Sequence, residues 1–136
     1  MNDIELEQKE LIEEFQLFDN WMDRYQHIVD LGKRLPEFPD ESKIEENRIH
    51  GCQSQVWFKI EKDYNYNRLK FQAISDSAIV SGLIAILMRV YSDQLLEDIV
   101  STPLDFISEI GLDQHLSPTR SNGLDLMVKA IRNAAS

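Results

Sequence analysis

The stretch VWFKIEKDYNYNRLKFQAIS, residues 56–75, decides the fold. Apolar and polar side chains alternate in residues 56–61 and again in residues 69–74. Such alternation with a period of two indicates β-strands that each bury one face. The connection between the two runs, residues 62–68, is short and polar, so the two strands are predicted to form an antiparallel hairpin.

A hairpin of two strands alone is marginally stable in water, so this one is expected to pack against helices. If the first strand extends backwards through Arg48 to His50, or gains a partner there, the sheet has about three strands. No internal repeat or low-complexity segment interrupts the chain. Residues 1–136 are therefore predicted to form one α+β domain, a small antiparallel sheet packed against several helices.

Residues 79–91 follow the hairpin and are apolar around most of a helical circumference, which predicts the central core helix. Ser75, Asp76 or Ser77 is expected to cap its N-terminus. Gly82 lies inside this helix and costs about 1 kcal/mol relative to alanine. Close packing of Gly82 against the sheet or the Cys52 loop is the expected reason.

The chain before the hairpin shows apolar residues at helical spacing from residue 4 to about residue 35. Asp19 and Asn20 can cap a new helix, so two helices are predicted, a frayed one within residues 1–18 and a firmer one from Trp21 to Lys33. We expect the first to be the more mobile. The acidic run at residues 40–46 is typical of a solvated surface.

Three start signals for further helices follow the core helix, at Ser92 or Asp93, at Thr102 with Pro103, and at Ser117 with Pro118. A proline in the first turn after a capping residue is a common way for a helix to begin. The second of these helices is expected to end before Gly111, and the third is predicted to be amphipathic.

Cys52 is the only cysteine of the chain and directly follows Gly51, a residue able to adopt backbone angles closed to others. Arg48 and His50 are near enough in sequence to favour a thiolate, and polar residues follow. These neighbours indicate an accessible, reactive thiol. The alternative is inert packing, because a free cysteine often behaves as a small buried hydrophobe.

The alternation of the first strand bears on this choice. Extended back from Val56, it places Cys52 on the same side as the buried apolar residues of that strand. This leaves inert packing open, and it also suggests a thiol that rests inward and turns outward to react.

The segment GCQSQVW, residues 51–57, resembles the cysteine loop of the SufE family with its CsdE relatives, the sulfur-accepting partners of cysteine desulfurases. Two more segments match the family's pattern in the right order, SDSAIVSGL at residues 75–83 and PTRSNGL at residues 118–124. The likeness runs from about Trp21 to Arg132. It implies a fold similar to that of iron-sulfur scaffold proteins.

The resemblance also implies a function and a site. Cys52 would accept the sulfane sulfur of a desulfurase persulfide, stimulate that enzyme, and pass the sulfur to an iron-sulfur scaffold. Arg120 would lie near Cys52 and stabilise the thiolate or persulfide. Five further residues are candidates for the loop and for contact with the partner: Arg48, His50, Gly51, Gln53 and Asp76. Asp76 matches an acidic residue before the core helix, where a helix cap is its alternative role.

The partner would be a pyridoxal-phosphate-dependent desulfurase of the SufS or CsdA type, and the cofactor would belong to that partner. No cofactor or metal is expected in this chain, since one cysteine and the scattered His27, His50 and His115 do not form a metal-binding pattern. A papain-like pairing of Cys52 with His115 has no local signature. The main alternative function is a non-catalytic module that regulates a desulfurase by contact alone.

Composition narrows the classes of partner. The chain is 43% hydrophobic and 28% charged, as in globular domains, and its net charge is −10. That charge argues against binding nucleic acid or an anionic membrane surface. The longest apolar stretch is too short to span a bilayer, and the acidic N-terminus does not resemble a signal peptide. We therefore expect a protein of the reducing cytoplasm.

Overall fold

A three-stranded antiparallel sheet and seven α-helices make up the fold in a computed structural model that describes all 136 residues. In chain order the elements are α1 (Asp3–Phe15), α2 (Trp21–Gly32), β1 (Val56–Asp63), β2 (Arg68–Ser75), α3 (Ala78–Tyr91), β3 (Gln94–Leu95), α4 (Leu96–Ser101), α5 (Phe106–Ile110), α6 (Leu112–His115) and α7 (Pro118–Ala135). Short 3-10 turns lie at Asp40–Ser42 and Glu45–Asn47. None of the helices combines the length and the apolar content needed to cross a membrane.

The predicted hairpin is confirmed, with β1 and β2 paired from Val56 opposite Ser75 to Asp63 opposite Arg68. The third strand is β3, which pairs with the other edge of β2. The prediction that it would come from residues 48–50 is wrong, because Arg48 forms only a single bridge to β1.

The helix predicted to start at Ser92 or Asp93 begins at Leu96 instead. Asp93 has a φ of 61°, and this left-handed turn brings the chain back to the edge of β2. There the amide of Asp93 donates to the carbonyl of Leu69 at 2.7 Å. Arg68 Nη1 also donates to the Asp93 carbonyl at 2.7 Å. The residues that would have formed the first turn of this helix therefore pair with the edge of β2 instead.

Helix α3 is the central core helix, as predicted, and packs between the sheet and α2. The role expected for Gly82 is wrong, since it faces α2 and not the sheet or the Cys52 loop. A Cβ at Gly82 would lie 2.1 Å from the carbonyl oxygen of Ile28, and a Cβ at Gly32 would lie 2.6 Å from the Gly82 nitrogen. The two helix backbones therefore touch at these glycines.

Helix α1 is capped at its N-terminus and packs against the core. Asn2 and Glu5 form a reciprocal capping box at its N-terminus. Its buried face adds Ile4, Leu11 and Phe15 to the main core. Asp3 and Glu5 in the first turn complement the positive N-terminal end of the helix dipole. Greater mobility of residues 1–18 stays a prediction.

The buried side chain of Gln8 in α1 explains another difference. Its Oε1 accepts from the amides of Asp105 and Phe106, at 2.7 and 3.2 Å, and its Nε2 donates to the carbonyl of Pro103 at 3.0 Å. Helix α5 therefore begins at Phe106, where the Gln8 side chain of α1 accepts hydrogen bonds from the amides at its N-terminus. It does not begin at the predicted Thr102–Pro103 signal. Its predicted end at Gly111, with φ of 93°, is confirmed.

A polar cluster joins α1, α2 and α3. Glu14 Oε2 lies 2.8 Å from His27 Nε2, and its two oxygens accept from Arg89 Nη1 at 2.9 and 3.0 Å. Burial alone would raise the pKa of Glu14, but the hydrogen bonds with His27 and Arg89 outweigh burial and lower it below the ordinary value. The cluster thus holds an ionised carboxylate between three helices.

Candidate functional site

Cys52 lies in a short loop, residues 50–55, whose neck is closed just before β1. The amide of Ile49 donates to the carbonyl of Val56 at 2.9 Å, and Arg48 bridges Trp57. The guanidinium of Arg48 also lies 5.7 Å from the centre of the Trp57 ring, a cation–π distance. Arg48 therefore anchors the neck of the loop.

The far end of the loop is tied to the junction between β2 and α3. Asp76 Oδ1 accepts from the amide of Gln55 at 3.0 Å, and the amide of Asp76 donates to the carbonyl of Gln55 at 3.3 Å. The side chain that caps α3 is Ser77, whose Oγ accepts from Val80. The alternative role of Asp76 as the helix cap is therefore wrong, and its side chain fixes the Cys52 loop.

The tip of the loop turns at Gly51, which has a φ of 93°. This left-handed conformation is strained for residues with a side chain, so glycine is required for the turn. His50 pairs with Glu45, its Nε2 lying 2.7 Å from Oε1 of the carboxylate, and both side chains are exposed. The neighbouring Gln53 is also exposed.

A cavity of about 390 Å³ lies beneath the loop, between it, α3 and α7. The thiol of Cys52 is half-buried at this cavity. The apolar part of the wall is formed by Val80, Leu83, Leu124 and Met127. The polar part includes Gln53, Ser54, Ser117, Thr119 and Arg120. The thiol therefore stands at a boundary between an apolar wall and a polar rim.

Arg120 and Cys52 are far apart in sequence but line the same cavity. The first turn of α7, which Ser117 caps by accepting from the amide of Arg120 at 3.3 Å, places Arg120 at the rim. Its side chain is exposed and forms no ion pair within the chain. Arg120 is also the only charged residue of the cavity wall, so the wall is cationic in a protein of net charge −10.

Burial raises the pKa of the Cys52 thiol above its ordinary value. The sequence predicted the opposite direction, with Arg48 and His50 favouring the thiolate. Their geometry explains the difference, because Arg48 lies over Trp57 and His50 pairs with Glu45. In this conformation the thiol is protonated at neutral pH and is a poor nucleophile.

Gly123 was not among the predicted site residues, yet it faces the thiol of Cys52 from α7. A Cβ built on this buried glycine would be 3.4 Å from Cys52 Sγ. The sequence carried a signal, since Gly123 belongs to the segment 118–124 that resembles the SufE pattern. A glycine within a helix does not by itself reveal what it faces, so its role needed the structure.

Residues 9–135 match the family described as "SufE: Fe-S metabolism associated domain". The chain belongs to the SufE family. Its relatives include an uncharacterised SufE-like protein of Rhizobium meliloti (strain 1021), which is 40% identical over 129 residues, 93% of this chain and 92% of that protein. The family assignment is thus confirmed, and the SufE match begins within α1, earlier than the predicted start near Trp21.

A similar fold is seen in a solved structure. The solution structure of a hypothetical protein from Thermus thermophilus superposes with a TM-score of 0.75 at 18% identity, covering 95% of this chain and 93% of that one. At this identity the likeness concerns the fold alone. It confirms the predicted α+β class.

The three segments that carried the SufE resemblance meet in space. Residues 51–57 form the loop and its neck, residues 75–83 supply the Asp76 tie and one apolar wall, and residues 118–124 supply Arg120 and Gly123. No group of three or more histidine, cysteine or carboxylate side chains is placed to hold a metal ion. What converges at this point is one thiol, one cation and a cavity.

Proposed function

We propose that this SufE-family protein accepts sulfur at Cys52 from the persulfide of a cysteine desulfurase and passes it to an iron-sulfur scaffold. The observation that carries the proposal is the convergence of the three SufE-like segments on the chain's only thiol, beside a cavity with a single cation. Association of the family with iron-sulfur metabolism agrees with it.

The transfer step requires no oxidant. The Cys52 thiolate attacks the outer sulfur of the donor's persulfide, a new bond forms from Sγ to that sulfur, and the donor's own S–S bond breaks. The donor cysteine leaves as a thiolate, and Cys52 becomes the persulfide. Removing the sulfur frees the desulfurase for another turnover, which is how the acceptor stimulates it. Pyridoxal phosphate acts in the desulfurase.

The inward thiol must move before it can attack. In the cavity its pKa is raised by burial, so ionisation is unfavourable there. Turned outward into water, the thiol loses this desolvation and ionises more readily. The loop is held at Ile49 and Gln55, leaving the residues around Gly51 to change conformation. Docking of the partner thus couples exposure of Cys52 to its activation.

Arg120 is proposed to stabilise the Cys52 persulfide after the loop has returned to its inward position at the cavity. A persulfide anion at the cavity would be placed beside the one charged side chain of the wall, which has no carboxylate partner to neutralise it. A charge-assisted hydrogen bond of this kind is stronger than a neutral one. The same cation would hold the sulfur until a scaffold takes it.

The test is intact-protein mass spectrometry after incubation with an active desulfurase and free cysteine, comparing the natural chain with Cys52→Ser. We expect the natural chain to gain one sulfur atom, reversibly under reductant, and the variant to gain none and to stop stimulating the desulfurase. Serine retains the size and fold of the site, so loss of stimulation is chemical. A variant that still stimulates would instead identify a regulator acting by contact alone.

A further inference from the structure

Gly123 occupies a position where the packing of the helices does not demand a glycine. It lies in the interior of α7 and is buried. A Cβ added there would have a single neighbour within 4 Å outside the nearby helix backbone, Cys52 Sγ at 3.4 Å. Alanine is more stable than glycine inside a helix, so leaving this position without a side chain lowers helix stability. The space beside Gly123 therefore faces the sulfur of Cys52 and no other packed side chain.

We infer that Gly123 is a positioning residue that keeps open the seat of the terminal sulfur of the Cys52 persulfide, an inference that rests on the proposed function. The added sulfur lies one S–S bond, about 2.05 Å, beyond Sγ. A methyl group at position 123 is in ordinary contact with the thiol itself. It leaves no room on that side for a second sulfur.

The seat protects the persulfide from soluble thiols. A small thiolate attacks the terminal sulfur, the Sγ–S bond breaks, and Cys52 leaves as a thiolate with the sulfur now on the small molecule. A second small thiol then attacks the small-molecule persulfide and releases its outer sulfur as hydrogen sulfide. The two small thiols are left joined as a disulfide. The rate depends on access to the attacked sulfur. Inside the cavity, the apolar side chains of Leu83 and Met127 limit that access.

The experiment compares the natural chain with Gly123→Ala and with Asn122→Ala. Asn122 is exposed on the same helix and does not line the cavity, so its variant controls for a gain in helix propensity. Each protein is loaded with sulfur by the desulfurase, freed from it, and exposed to glutathione. The remaining persulfide is followed by intact mass. Iodoacetamide alkylation of each unloaded protein measures access to the thiol.

We expect all three proteins to load equally and their unloaded thiols to be alkylated at similar rates. The Gly123→Ala persulfide should decay faster by about fivefold, because its terminal sulfur is turned outward. Its melting temperature should not fall. A merely structural role would change thiol alkylation as much as persulfide decay.

Equal persulfide lifetimes in the natural chain and Gly123→Ala would overturn the inference. A folded Gly123→Ala that takes up no sulfur would overturn it too, since acceptance is assigned to the outward loop. Failure of the natural chain itself to load would instead defeat the proposed function. The two failures are therefore distinguishable in one experiment.

Discussion

Gly82 and Gly123 are both buried inside long helices, but what each faces is different. At Gly82 the absent side chain lets α3 touch the backbone of α2, and a Cβ would meet a carbonyl oxygen at 2.1 Å. At Gly123 the absent side chain faces only the Cys52 sulfur at 3.4 Å. The first contact brings two helix backbones together, while the second leaves space beside the thiol. Glycine thus permits close helix packing at Gly82, whereas at Gly123 we propose that it leaves space for the persulfide.

The largest expected effect comes from Gly82→Ala. Overpacking against a backbone carbonyl, which cannot rotate away, should destabilise the protein by about 3 kcal/mol. Urea unfolding at 25 °C measures the loss. The matched substitution, Gly123→Ala, should leave the free energy of unfolding unchanged or raise it by up to about 1 kcal/mol. Equal losses of unfolding free energy in the two variants would show that helix packing requires glycine at both positions.

A smaller effect on stability and a specific effect on the loop are expected from Asp76→Ala. Losing the hydrogen bond from the Gln55 amide should cost about 1 kcal/mol and should speed iodoacetamide alkylation of Cys52, because the far end of the loop is freed. The control is Ser77→Ala, which removes the cap of α3 at a similar cost of about 1 kcal/mol without touching the loop. Faster alkylation in both variants would indicate that general destabilisation exposes Cys52, and not the specific loss of the hydrogen bond between Asp76 and Gln55.

The smallest effect concerns the pH dependence of the thiol. Burial raises the pKa of Cys52, so its alkylation rate should rise with pH at a higher midpoint in the folded chain than in the urea-unfolded chain. The raised pKa of Cys52 also contributes to the stability of the folded chain. This contribution is fully present below the pKa of the thiol in the unfolded chain and is lost as pH rises through its pKa in the folded chain. Cys52→Ser should remove this alkaline loss. A folded midpoint at or below the unfolded one would contradict the inward resting state.

Much of the fold can be predicted from the sequence because it follows local periodicity. The alternation in residues 56–75 defines β1 and β2, and the capping signal at Ser117 with Pro118 locates the start of α7. The third strand is different, since two residues carry no periodicity. The third strand depends on the left-handed backbone conformation of Asp93 and on the hydrogen bond that Arg68 donates to the Asp93 carbonyl. Helix α5 likewise depends on Gln8, a partner from another element.

The candidate site is less accessible to local reasoning. Cys52 is distinctive because it is unique and follows a glycine, but its proximity to Arg120 comes from the resemblance and not from spacing. The direction of the thiol's pKa was missed because the sequence shows which cations are near along the chain, not where they point. Asp76 has the composition of a helix cap, and only the structure shows that its side chain reaches Gln55 instead.

The closed neck of the loop limits how far the sulfur can travel. Ile49 is held to Val56, and Cys52 follows Ile49 by three residues. A fully extended chain spans at most about 3.5 Å per residue, so the Cα of Cys52 can move no farther than about 10 Å from the neck. A donor whose persulfide lies deeper than this in a cleft must bring its own cysteine outward. Under the proposed function, the persulfide of the donor must therefore come within this distance of the neck.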